Sequence, residues 1–220
     1  MFESLPDIPR LFTALAEWGA ALMYVFVVAR SASSNALNPN AAIPRWRLSA
    51  AAVGGLVVLV GVQELLGHAP LSLWVPGMMT AYALVWCVIR VGTALDWRWV
   101  THMSARAFIV AELAASLAWQ VVVYSHADKP YWHPLSFGGF AAIAATCLAV
   151  VYFFERRVYR QGALPVLRYV DLASGVFIGI SIFALSNLSF ISTATPFSGR
   201  SGWEVFYIRT LVDLGGYAIL

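Results

Sequence analysis

An all-α, polytopic membrane domain of about seven crossings is the fold class this sequence predicts, on three observations. Of the 220 residues 60% are hydrophobic and only 11% charged, against roughly 45–50% and 25% in soluble domains. The apolar residues gather into seven runs, near the ~20 residues a helix needs to cross a ~30 Å hydrocarbon layer. Those runs lack the strict polar and apolar alternation over about ten residues that marks a barrel strand. The same composition excludes a soluble globular enzyme and a disordered chain. Two cysteines, Cys87 and Cys147, are too few for a disulfide scaffold. A net charge of +3 is too small a surplus to indicate nucleic acid as a partner.

The runs lie near 11–29, 48–66, 71–89, 107–124, 137–154, 169–190 and 205–220, with no linker or second domain between them. The first follows an acidic opening, Met1-Phe2-Glu3-Ser4-Leu5-Pro6-Asp7. A secretory signal would open on basic residues, so this run is expected to remain as a membrane helix. The second follows the longest polar piece, 31–47, whose Asn38-Pro39 and Ile43-Pro44 are turn formers. Gly67-His68-Ala69-Pro70 joins it to the third, a link short enough to make the two antiparallel neighbours. Pro76-Gly77 in the third run frees a backbone carbonyl and invites a kink. The fourth carries Glu112 and, two turns on, Gln120; the fifth holds Cys147 inside an apolar run. The sixth contains Gly175-Val176-Phe177-Ile178-Gly179, a spacing that lets another helix approach closely, within the chain rather than across a dimer. The seventh stops at Leu220 with no polar flank, as expected of a chain cut within, or at the end of, its last helix.

Arginine sets the direction. The connections after the first, third and fifth runs hold Arg30, Arg45 and Arg47, then Arg90, Arg98 and Arg106, then Arg156, Arg157, Arg160 and Arg168. Arg10, Lys129 and Arg200 lie on the other side. Basic residues in short loops stay on the cytoplasmic side, so the N-terminus is predicted outside and the C-terminus in the cytoplasm of a cell that carries the chain as a multi-pass protein of its plasma membrane. Trp46, Trp97, Trp99, Trp132 and Trp203 fall where an interfacial aromatic belt belongs.

A charge inside a span costs about 2.5–3.5 kcal/mol, so each needs a reason. Glu17, Glu64 and Arg209 fall in the outer half of their runs, and Asp213 is four residues past Arg209 on the same helical face. This spacing predicts that Asp213 neutralises Arg209, with Glu64 or Glu17 as a second partner; the functional alternative is a polar cluster lining a ligand pocket. Glu112 and Asp213 alone reach deeper, a thin ladder for a proton or cation path. Asp171 beside Arg168 reads as an interfacial ion pair. All four histidines, His68, His102, His126 and His133, are expected in loops. His126, Asp128 and His133 match no tight metal spacing. No metal site, cofactor site or catalytic motif is predicted. The sole lysine, Lys129, sits in a predicted loop, which excludes a retinal Schiff base in a span.

Three stretches near the end form a recognisable pattern: Ser186-Asn187-Leu188-Ser189-Phe190, Thr195-Pro196-Phe197-Ser198-Gly199, and Phe206-Tyr207-Ile208-Arg209-Thr210-Leu211-Val212-Asp213-Leu214-Gly215-Gly216. This region resembles the end of the membrane sensor domain of GHKL-type sensor histidine kinases, bacterial two-component receptors of the kind used in peptide quorum sensing. The resemblance implies that 1–220 is one transmembrane sensor domain relaying an extracellular or membrane signal through its last helix. It implies a cytoplasmic kinase domain, not contained in this chain, that binds ATP and Mg and carries the phosphorylated histidine. Its expected partners are the lipid bilayer, a peptide or small apolar ligand, a second copy of the full-length protein, and a cytoplasmic response regulator. The signal-relay or ligand-pocket candidates are Arg209, Asp213, Glu64, Glu17, Asn187, Ser189 and Thr195. Two other readings stay open, a small transporter or channel subunit and a non-catalytic membrane scaffold. A transporter would be expected to show paired broken helices, and only the third run carries a break. A topology reporter fused at position 35 is expected to report a cytoplasmic location; activity outside the cell would reverse the orientation.

Overall fold

A computed structural model describes residues 8–34, 43–93, 95–126, 130, 132–159, 168–191 and 202–219, with side chains at all of these except 31–34, 71, 74, 126, 158, 182–191 and 202–209. Among the described residues the regular structure is entirely helical. The helices are α1 (Arg10–Ser34), α2 (Arg45–Gly67), α3 (Trp74–Thr93), α4 (Trp97–His126), α5 (Pro134–Tyr159), α6 (Tyr169–Ile191) and α7 (Gly202–Ile219). The first five are long and apolar enough to cross a membrane, and α6 is apolar over Tyr169–Ser181.

Hydrocarbon solvates leucine as well as another helix does, so a bundle in lipid has no need to hide its apolar surface. What it must hide are groups that hydrogen-bond. The burial pattern follows that rule. Glu17, Gln63, Ser104, Glu112, Ser116, Gln120, Ser136, Glu155 and Asp213 are buried, while Val57 and Leu65 of α2, Phe153 and Phe154 of α5, and Phe177 of α6 are exposed. The surplus of apolar side chains on the perimeter supports the membrane reading of the composition.

Helix α4 is the axis. It packs against α1, α3, α5, α6 and α7, and α1 packs against α2, α3, α4 and α5. Of α4's apolar stretch 83% is buried, against 22% in α2 and 17% in α5, so these perimeter helices carry much of the exposed apolar surface. The α6–α7 pair rests on the body chiefly through α4. A cleft of about 130 Å³ lined by Met78, Tyr82, Phe108 and Ile180 separates it from α3. A larger one of about 560 Å³, lined by Leu117, Ile143, Cys147, Phe154 and Leu214, separates it from α5.

Several predicted boundaries move, each for a local reason. The fourth span was expected from 107, but α4 begins at Trp97 because Asp96 caps it, its Oδ2 accepting the N–H of Arg98 at 3.3 Å. Residues 97–106 then continue the buried stripe with Val100 and Met103. Arg106 and His102, expected in a loop, are therefore helical. Glu112, expected, with Asp213, deeper in the membrane than the other carboxylates, stands near the midpoint of α4. Helix α1 continues to Ser34, into the predicted 31–47 loop. Asp171 accepts the backbone N–H of Arg168 at 3.1 Å and so caps α6. Gly179 turns the small-residue face of α6 onto α4, where an added Cβ would sit 3.5 Å from the Cβ of Ala105.

Close approach also shapes the α1, α2 and α3 junction. Helix α2 contains a π turn at Ala50–Gly54, which loosens one carbonyl from the ladder; Ala52 O accepts the indole N–H of Trp18 at 2.7 Å. Gly92 of α3 faces the same junction, where an added Cβ would lie 2.6 and 2.8 Å from the two γ-carbons of Val25 and 3.3 Å from Ala51. Val25 is buried, and a β-branched side chain has few rotamers to yield with. Gly92→Ala is expected to cost about 1–3 kcal/mol, read as a lower melting temperature in detergent, with Val25→Ala in the same chain recovering part of the loss.

Candidate functional site

The densest polar constellation is built on Glu155, near the end of α5 and 2% exposed. Its Oε1 accepts the hydroxyl of Tyr24 from α1 at 2.7 Å, the Arg106 guanidinium from α4 at 2.7 Å through Nη2 and 3.1 Å through Nε, and the hydroxyl of Tyr217 from α7 at 2.8 Å. Arg106 Nε also reaches the Tyr24 oxygen at 3.3 Å, and its guanidinium lies 5.0 Å from the Tyr217 ring centroid. One carboxylate oxygen thus joins four helices. A carboxylate offers about four acceptor positions over two oxygens, so donors crowded on one oxygen compete. Tyr217 can leave while Arg106 and Tyr24 keep the charge paired.

Below the cluster, Trp99 meets Tyr159 edge-on with centroids 6.4 Å apart. Burial, reinforced by the nearby Glu155 carboxylate, pushes the Tyr159 phenol up from its ordinary value. The arginine-rich end lies about 12 Å further along α4, eight residues at helical rise. There Arg47 donates to the carbonyls of Val91 at 2.8 Å and Arg90 at 3.3 Å, closing the C-terminus of α3. Arg98 hydrogen-bonds Tyr169 and places its guanidinium 4.1 Å from that ring. Towards the opposite end, Gln120 Nε2 donates to Thr210 Oγ1 at 2.6 Å. Arg98, Arg106 through Glu155, and Gln120 therefore each tie α4 to the α6–α7 pair by a polar contact at a different height.

The residues singled out from sequence are dispersed. Glu17 is buried against α2, where Gln63 Nε2 donates to its Oε1 at 2.9 Å. Glu64, the next residue, is exposed, and Asp213 is buried in α7. Arg209 lies in α7 and Asn187 and Ser189 in α6, but their side chains fall outside those described; so do the side chain of His126 and all of Thr195 and Asp128. The predicted Arg209–Asp213 pairing therefore lies outside the described residues.

Glu155 and Arg106 escaped the sequence reading because each abuts an apolar run, one residue past 154 and one before 107. Arg106 was expected in a connection, and Glu155 was not singled out. The available signal was the pairing itself: opposite charges at the same end of two adjacent helices, with Tyr24 and Tyr217 placing hydroxyls at matching depth.

Comparison of the chain with protein-family models, with curated proteins and with solved structures finds no match in any of the three. What the cluster does follows from its geometry: it holds the last helix to the body through the Tyr217 hydroxyl on Glu155. Removing Glu155 leaves the Arg106 charge, 15% exposed, without its anion. Glu155→Ala is accordingly expected to destabilise by about 3–5 kcal/mol, whereas Tyr217→Phe removes one interhelical hydrogen bond and costs about 0.6–2 kcal/mol. Chemical or thermal unfolding in micelles distinguishes the two; equal losses would show that Tyr217 is not exchangeable.

Proposed function

We propose that this chain is the membrane input domain of a GHKL-type sensor histidine kinase, with α7 as the output helix and α6–α7 as the moving pair. In this reading the polypeptide crosses the bilayer seven times, the N-terminus is outside, and the arginine-rich end and the C-terminus of α7 face the cytoplasm. The carrying observation is the Tyr217 hydroxyl on Glu155 Oε1 at 2.8 Å, a contact between the last helix and a carboxylate that keeps two other partners.

The mechanism uses few parts. A peptide or small apolar ligand, entering from outside or from the lipid, binds where the α6–α7 pair meets the body. It favours one seating of that pair over another. Tyr217 then stays on Glu155 or leaves it, and α7 shifts or turns as it exits the membrane. Packed interfaces hold discrete arrangements rather than deforming continuously, and about 1.4 kcal/mol of differential binding changes the ratio of two states tenfold. The two clefts flanking the pair leave it room to move. In the full-length protein the motion would reach a dimerisation helix, an ATP- and Mg-dependent kinase domain and, through the phosphorylated histidine, a response regulator.

The decisive measurement uses the full-length gene product in membranes supplied with ATP and Mg. Acid-labile phosphohistidine is expected, and Tyr217→Phe is expected to change its basal level severalfold without loss of the protein from the membrane. Absence of phosphohistidine from the folded full-length protein overturns the kinase reading.

A further inference from the structure

Away from the Glu155 cluster, the contact between α1 and α2 holds a second polar site. Glu17 is 1% exposed and Gln63 fully buried. Gln63 is 16 residues along α2 from Arg47, about 24 Å at helical rise, so the site belongs to the half opposite the arginine-rich end. Gln63 Nε2 donates to Glu17 Oε1 at 2.9 Å. The remaining oxygen of each group, Glu17 Oε2 and Gln63 Oε1, is buried and meets no donor. Two orphaned acceptors on two side chains already bonded to one another are one hydrogen short of complete pairing.

We propose that the Glu17–Gln63 pair is a proton-binding site, in which Glu17 carries a proton on Oε2 and donates it to Gln63 Oε1. The pair is then a neutral acid and a primary amide closed into a ring by two hydrogen bonds, amide N–H to carboxyl C=O and carboxyl O–H to amide C=O. The proton comes from water and no other bond is made or broken. The hydrogen-bond inventory requires it: an amide brings both a donor and an acceptor, a carboxylate only acceptors, and only the acid form brings the missing donor.

The surroundings favour the same form. Among the described residues, the other groups that act electrostatically on Glu17 are Glu112 of α4 and Arg10 at the head of its own helix, with none from α3 or α5. An ionised Glu17 would be a buried charge with a single N–H for a partner and a second carboxyl group in range, an arrangement proteins avoid. Proton occupancy thus sets whether Glu17 and Gln63 join α1 to α2 by two hydrogen bonds or one, beside the Trp18–Ala52 bond. This inference is independent of the kinase reading.

Infrared difference spectroscopy of the purified chain in lipid nanodiscs at neutral pH tests it. Glu17→Gln should abolish a protonated-carboxyl C=O band equivalent to one group per chain, and Glu112→Gln should leave that band in place. Gln63→Leu, which takes away the acceptor, should shift the band to higher frequency. Loss of carboxylate bands instead of an acid band in Glu17→Gln, or an unshifted band in Gln63→Leu, overturns the proposal. So does aggregation of Glu17→Gln, because glutamine reproduces the shape and both hydrogen bonds of the neutral acid.

Discussion

In a membrane the groups that must be hidden are those that hydrogen-bond, and the architecture of this chain follows from that inversion. Its buried polar residues concentrate on α4, which carries Ser104, Glu112, Ser116 and Gln120 among its buried side chains, and that helix becomes the axis. The perimeter helices α2 and α5 expose valine and phenylalanine. Small residues decide how closely they approach: Gly77 of α3, where an added Cβ would stand 2.0 Å from Leu66, lets α3 lie tight against α2. Packing and hydrogen bonding supply the cohesion that water supplies to a soluble core.

Length and composition were enough to read the all-helical class and its long apolar helices, five of which are long enough to cross a membrane, because a hydrophobic run of about 20 residues has few other fates. The helices lie close to the predicted runs, and the departures occur where polar chemistry extends a helix beyond its apolar part. Asp96 starts α4 ten residues ahead of the predicted span and turns Arg106 from a loop charge into a half-buried helical one. That single boundary explains why the Glu155 cluster was not legible: hydropathy ends a span at the first charge, whereas a bundle can carry the span onward if the charge meets a partner from another helix. Glu17 was legible as an anomaly, but its partner was not. Glu17 and Glu64 were both read as possible partners of Arg209, and only the phase of α2 reveals that Gln63 faces Glu17 while Glu64 is exposed.

The distribution of polar contacts separates a stable body from a docked pair. Within the body, α1 and α4 share neighbours on several sides. The α6–α7 pair has α4 as its main support, meeting it at Tyr169, at Thr210 and, through Glu155, at Tyr217. The body is braced on several sides, and the pair is held mainly from one.

The π turn at Ala50–Gly54 has an effect that reaches to the far end of its helix. One extra residue in a turn is worth about 100° of rotation for everything beyond it, and Trp18 pins the turn by taking the Ala52 carbonyl. Wound as uninterrupted α-helix from the same start, α2 would present Val62 to α1 and swing Gln63 about a quarter of a circle towards lipid. The side chain that answers Glu17 is thus chosen by winding, some nine residues upstream, as much as by the residue written at position 63.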